Sequence, residues 1–187
     1  MQDLIEGQGA DLAFEQRDDV GLTECRAMAE GKTGALLGCS CALGALLAGG
    51  TADQVDHLRR FGEALGLAFQ LVDDLLGIWG DPAATGKPVF SDLRNRKKSL
   101  PVVAALTSGT PEGQELAGLY AAPDEPAGAD LARAAQLVDR AGGRQWARTE
   151  AAALLDRARS HLHAAVPDAR AAADLETLAV LLADRDR

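Results

Sequence analysis

Between Thr51 and Trp79 apolar residues recur mostly at three- and four-residue steps, at Leu58, Phe61, Leu65, Ala68, Val72, Leu75 and Leu76, which predicts one long amphipathic helix. Gly80, Asp81 and Pro82 end it. Upstream, the stretch from Thr33 to Ala52 carries no charge, and its five leucines are diluted by Gly, Ala, Ser and Cys. Lys32 and Asp53 flank it without aromatic belts, so it predicts a tightly packed helix at the centre of a bundle, not a membrane span. Thr23 is a candidate cap for the helix that begins "ECRAMAEGKTGALLG", and the polar stretch before Gly21 predicts irregular structure. Residues 82–98 predict an ordered polar loop, and Ser99 and Pro101 open another helix. Residues 108–130, rich in Gly, Pro and Asp, predict an exposed connection, followed by helices near 129–141, 144–165 and 168–184.

Composition agrees with the helical pattern. The 187 residues are 47% hydrophobic and only 4% aromatic, dominated by Ala and Leu, whose side chains lose little rotamer freedom in a helix. One all-α domain over 1–187, a helical bundle, is the expected fold. The net charge of −9 argues against a phosphate-neutralising surface for nucleic acid. Cys25, Cys39 and Cys41 have neither disulfide nor zinc spacing, and "QDLIEGQGAD" after Met1 does not read as a signal peptide, so the cytoplasm is the expected compartment.

The candidate chemistry lies in "FQLVDDLLGIWGDPAATGKPVFSDLRNRKKSLP", residues 69–101. Asp73 and Asp74 are adjacent carboxylates on an apolar helix, each costly to bury without a partner. A hard cation such as Mg²⁺ takes oxygen ligands, keeps several waters and is completed by substrate phosphates, with Lys87, Lys97 and Lys98 as the phosphate's other partners. The alternative reading is solvated helix-end charges and a solvated loop. His161 and His163, two apart, have the wrong spacing for a shared metal, and Trp79 and Trp146 read as packing residues.

The whole string resembles the second aspartate-rich region of the trans-polyprenyl diphosphate synthase family, the class I isoprenoid synthases. Phe69, Gln70, Asp73, Asp74, Gly80, Asp81, Gly86, Lys87, Pro88, Ser91, Asp92, Leu93, Arg94, Lys97 and Lys98 match its pattern, as do "GQGAD" (Gly7, Gln8, Asp11) and "GKTGALL" upstream. The resemblance implies that Lys32, Lys87 and Lys97 contact an allylic prenyl diphosphate, that Asp73 and Asp74 hold Mg²⁺, and that Gln70 and Thr33 line the reacting end.

Two positions depart from the pattern: Gly77 stands where the family commonly has a third aspartate, and Phe90 where it usually has glycine. Asp81 is no substitute, because eight residues of helix carry it about 12 Å beyond Asp73. The family's first aspartate-rich motif and its arginine pair have no counterpart in this sequence, which resembles the C-terminal half of a synthase. The implied function is half of a Mg²⁺-dependent prenyltransferase making linear isoprenyl diphosphates, completed as a heteromer by a second chain that carries the first DDxxD motif. A non-catalytic regulatory subunit of a full-length synthase and half of a class I terpene cyclase are the alternatives.

Overall fold

The computed structural model describes residues 1–123, 126–165 and 168–183. The fold is all-α, as expected, with helices α1 (Gln2–Phe14), α2 (Leu22–Ala29), α3 (Ala35–Leu47), α4 (Ala52–Trp79), α5 (Pro82–Thr85), α6 (Ser91–Arg94), α7 (Leu100–Leu106), α8 (Pro111–Ala121), α9 (Gly128–Arg140), α10 (Gly143–Ala164) and α11 (Ala169–Ala183). Between α2 and α3 the chain makes one wider turn over Glu30–Gly34, in which the Ala35 amide donates to the Glu30 carbonyl five residues back. Two compact units divide the residues: Met1–Gly9, Met28–Gln70 and Glu150–Arg187 form the first, and Ala10–Ala27 with Leu71–Thr149 the second.

In the first unit α3 and α4 approach through glycine. A Cβ on Gly62 would lie 2.5 Å from the Leu37 carbonyl oxygen, one on Gly66 2.8 Å from the Gly34 Cα, and one on Gly38 3.0 Å from the Arg59 carbonyl oxygen. Only backbones without side chains come this close. The small residues of α3 therefore serve the packing expected of them, but four of its five leucines do not. Leu36, Leu43, Leu46 and Leu47 stand between 49% and 85% exposed, so α3 is not the central, enclosed helix its composition suggested. Among the described residues no helix is long and apolar enough to cross a membrane.

The stretch before Gly21 is not irregular, since most of it forms α1. Its pattern hides the helix because the side chain missing at Gly7 is needed for packing. A Cβ there would collide with the Lys32 amide nitrogen and come within 2.9 Å of the Met28 carbonyl oxygen.

In the second unit Ile78, Leu93, Val102, Leu116, Tyr120, Leu131, Leu137 and Val138 share one buried core. α7 packs on α8 and α9, and α8 on α9. Thr23 is not a cap but the second residue of α2; Glu24 takes the capping role, its carboxylate accepting the Gly21 amide at 2.7 Å. The expected connection over 108–130 contains α8, whose Gly and Pro are helix-compatible where they stand. Pro111 occupies the first turn, where its missing N–H costs nothing, and the Thr110 hydroxyl accepts the Gly113 amide at 3.1 Å.

Candidate active site

Asp74 is 2% exposed, near the end of α4, and both of its oxygens are used. Oδ1 accepts from the Lys97 ammonium at 2.9 Å, and Oδ2 accepts the Leu100 amide at 3.0 Å. Leu100 opens α7, whose N-cap Ser99 makes no side-chain cap bond, so Asp74 satisfies an amide at that helix start. Lys97 Nζ also donates to Asp92 Oδ2 at 3.3 Å. Burial pulls the Lys97 pKa down, but the Asp74 and Asp92 carboxylates outweigh it, and the ammonium is held well above its ordinary range.

Asp92 belongs to α6 and was not singled out for a role by the sequence. Its carboxylate lies over Gly77: a Cβ there would fall 2.5 Å from Oδ2 and 2.6 Å from Oδ1. Gly77 is one helical turn after Asp73, so an acid occupies the space beside Asp73's face of α4 although the helix itself provides none there. The Ser91 hydroxyl donates to the Gly77 carbonyl at 3.2 Å and the Phe90 amide to the Ile78 carbonyl at 3.3 Å, pinning α6 to α4. Burial raises the Asp92 pKa, with Lys97 opposing and Asp74 reinforcing the shift.

Phe90 has φ 64°, a left-handed conformation that glycine adopts freely and phenylalanine does not. Its ring packs against the core of the second unit, which offsets the strain. Asp81 has a local task as the N-cap of α5, its Oδ1 accepting the Ala83 amide at 2.9 Å. The two adjacent lysines separate. Lys98 is buried, 3.9 Å from Asp18 and 6.0 Å over the Tyr120 ring, and is not turned with Lys97 toward Asp74. The Tyr120 hydroxyl instead donates to the Lys97 carbonyl at 3.4 Å, a tertiary support no motif announced. Lys87 is exposed on the loop after α5, and Asp73 is half-buried.

In the first unit Lys32 and Thr33 occupy the wide turn, a form of helix bulge frequent at functional positions. The Thr33 hydroxyl donates to Gln70 Oε1 at 2.9 Å, bringing these two predicted residues together. Their backbone is wedged by glycines. Gly7 of α1 lies against the Lys32 amide nitrogen, and a Cβ on Gly66 of α4 would lie 3.1 Å from the Thr33 carbonyl oxygen.

Among the described residues no three His, Cys, Asp or Glu side chains form a closed metal cage. The second unit instead offers oxygen donors and an ammonium at the end of one helix, which suits a hydrated hard cation and an anionic ligand.

Comparison with known proteins agrees with this architecture. The polyprenyl synthetase family model matches residues 1–138. The chain is 47% identical to the (2E,6E)-farnesyl diphosphate synthase of Mycobacterium bovis, across 98% of this chain and 52% of that protein. It is 48% identical to the geranylgeranyl diphosphate synthase of Mycobacterium tuberculosis, across 98% of this chain and 51% of that protein. It thus spans about half the length of the curated relatives it matches. The crystal structure of polyprenyl synthetase from Streptomyces coelicolor superposes with a TM-score of 0.92 at 44% identity, covering 97% of this chain and 55% of that one. Geranylgeranyl pyrophosphate synthase from Corynebacterium glutamicum, complexed with isoprenyl diphosphate and magnesium, gives 0.86 at 28%, covering 98% and 52%. By sequence and by fold, the chain belongs to the polyprenyl synthetase family.

Proposed function

We propose that this chain is one part of a Mg²⁺-dependent prenyltransferase that joins isopentenyl diphosphate to an allylic diphosphate. The observation carrying the proposal is the Lys97 ammonium held between Asp74 and Asp92 near the end of α4, which fixes a partly buried cation beside a helix face bearing Asp73. In this reading Asp73 and Asp92 offer oxygens to hydrated Mg²⁺, while Asp74 holds Lys97 and the start of α7 in place. Bound Mg²⁺ would offset the charge on the departing diphosphate. Lys97 and the loop residue Lys87 donate to the diphosphate oxygens, and for Lys32 the same role rests on the sequence resemblance alone. The Thr33–Gln70 pair lines the reacting end. The allylic carbon–oxygen bond breaks with its electron pair leaving on diphosphate. The double bond of isopentenyl diphosphate attacks that carbon, and loss of a proton restores an alkene.

The remaining catalytic parts, the first aspartate-rich motif and its arginine pair, come in this proposal from a second chain. The exposed apolar residues Leu36, Leu43, Leu46 and Leu47 on α3 support a covering partner, because monomers rarely leave such residues contiguous in water. An interface of obligate size, about 2,000 Å² or more, is expected. Co-purification from the native source, mass measurement and a prenyl-transfer assay test the proposal. The expected result is a heteromer that forms product and loses activity with Asp73→Ala or Lys87→Ala while staying folded. A lone active monomer would overturn the split enzyme, and an inactive complex with an intact full-length synthase would make this chain a regulatory subunit.

A further inference from the structure

We propose that His57 and His161 form a two-histidine site for a divalent transition-metal ion of the zinc, nickel or copper class, bridging α4 and α10 within the first unit. Their Nδ1 atoms lie 3.1 Å apart, with ring centroids 5.4 Å apart and planes tilted by 40°. Two nitrogens bound to one such metal at about 2.0–2.1 Å are separated by about 3.3 Å in tetrahedral geometry and about 2.9 Å in square or octahedral geometry. The observed spacing falls between these values. From a linear contact each ring would turn by roughly 35–45° to aim both lone pairs at a common point, the angle that tetrahedral or square geometry sets.

In the metal-free contact one Nδ1 carries a hydrogen and donates it to the other. Metal binding requires only that this hydrogen move to Nε2 of the same ring, so two neutral imidazoles become two ligands with no net proton released. The surroundings of His161 favour its neutral ring. Burial foremost, then His57, Arg60 and Arg157, holds the His161 imidazole below its ordinary value, with Asp56 opposing. Asp56 is itself paired with Arg59 at 2.6 Å and Arg60 at 2.8 Å. These arginines repel a dication, so the site binds more weakly than a structural zinc centre. Both rings are only partly buried, which leaves water to complete the coordination. Nitrogen donors separate this site from the oxygen-lined region at Asp73 and Asp74, because imidazole selects zinc, nickel and copper over magnesium.

The test uses the full chain without a polyhistidine tag, in excess Mg²⁺. Titration calorimetry with Ni²⁺ should show one equivalent bound, and electron paramagnetic resonance with Cu²⁺ should show coupling to two nitrogens. His57→Asn and His161→Asn should each weaken Ni²⁺ binding by about tenfold or more, while Asp73→Asn should leave it unchanged. No Ni²⁺ binding up to millimolar concentration, binding unaltered in either histidine variant, or a Cu²⁺ spectrum without two nitrogens would overturn the site. The spectrum needs only the unsubstituted chain, so it decides the matter even where a variant fails to fold.

Discussion

The Asp92 carboxylate occupies the space a side chain on Gly77 would need, with both oxygens within 2.6 Å of the position of that missing Cβ. A helix position without a side chain on α4 and an acid on α6 are therefore complementary. Gly77→Ala should push Asp92 away and weaken its hold on Lys97, lowering stability by about 1–3 kcal/mol in urea unfolding. Asp92→Ala opens the space, so the double variant should be more stable than the sum of the single losses predicts, by about 1 kcal/mol. Strict additivity would show that the two positions do not compete for one volume.

Phe90 combines a strained backbone with a useful ring. Phe90→Ala loses the packing and keeps the strain, whereas Phe90→Gly loses the packing and relieves about 1 kcal/mol of left-handed strain. Thermal unfolding should therefore rank glycine above alanine here, the reverse of the usual order inside regular elements. Alanine equal to or better than glycine would mean that the backbone conformation is not costly.

Two glycines in α1 should respond oppositely. Gly7→Ala places a methyl group on the backbone at Lys32 and should destabilise by about 2 kcal/mol or more. Gly9 has nothing within 4 Å of an added Cβ, and Gly9→Ala should stabilise by up to about 1 kcal/mol through helix propensity. Equal responses in chemical unfolding would contradict the close approach at Gly7.

The His57–His161 contact also makes stability sensitive to acid when a chelator removes metal. The His161 pKa is lowered in the fold, so the unfolded chain takes up its proton first as pH falls. Its stabilising contribution is present above the unfolded value near 6.5 and is lost below it. Besides burial, the groups acting on this imidazole are His57, Arg60 and Arg157, with Asp56 opposing. Urea midpoints should fall between about pH 7 and pH 5, with a smaller fall in His161→Asn. Parallel pH profiles would assign the sensitivity to other groups.

What could be read from the chain was periodic or contiguous. The spacing of Leu58, Phe61, Leu65 and Val72 revealed α4, and the FQ-x-x-DD string located Asp73, Asp74 and Gln70 on it. Elements whose logic is tertiary were hidden. α1 looks irregular because the face that packs at Gly7 has no side chain to count, and α8 looks like a connection because Pro111 and Gly113 break only helices that are already under way. Asp92 was legible as part of SDL-R but not as Gly77's occupant, since that requires α6 to fold back onto α4. Tyr120 was invisible because its contact is with a carbonyl, which leaves no residue-type signature.

The glycine seam of the first unit has an entropic consequence. Gly34 and Gly38 meet Gly62 and Gly66 backbone to backbone, so holding the Lys32–Thr33 turn against α4 freezes few side chains, chiefly Glu63 over Gly38 and the Thr33–Gln70 pair. The ordering cost was met when the helices formed. Lys32 is thus carried on a closely packed stem, which leaves ligand association little backbone to order there.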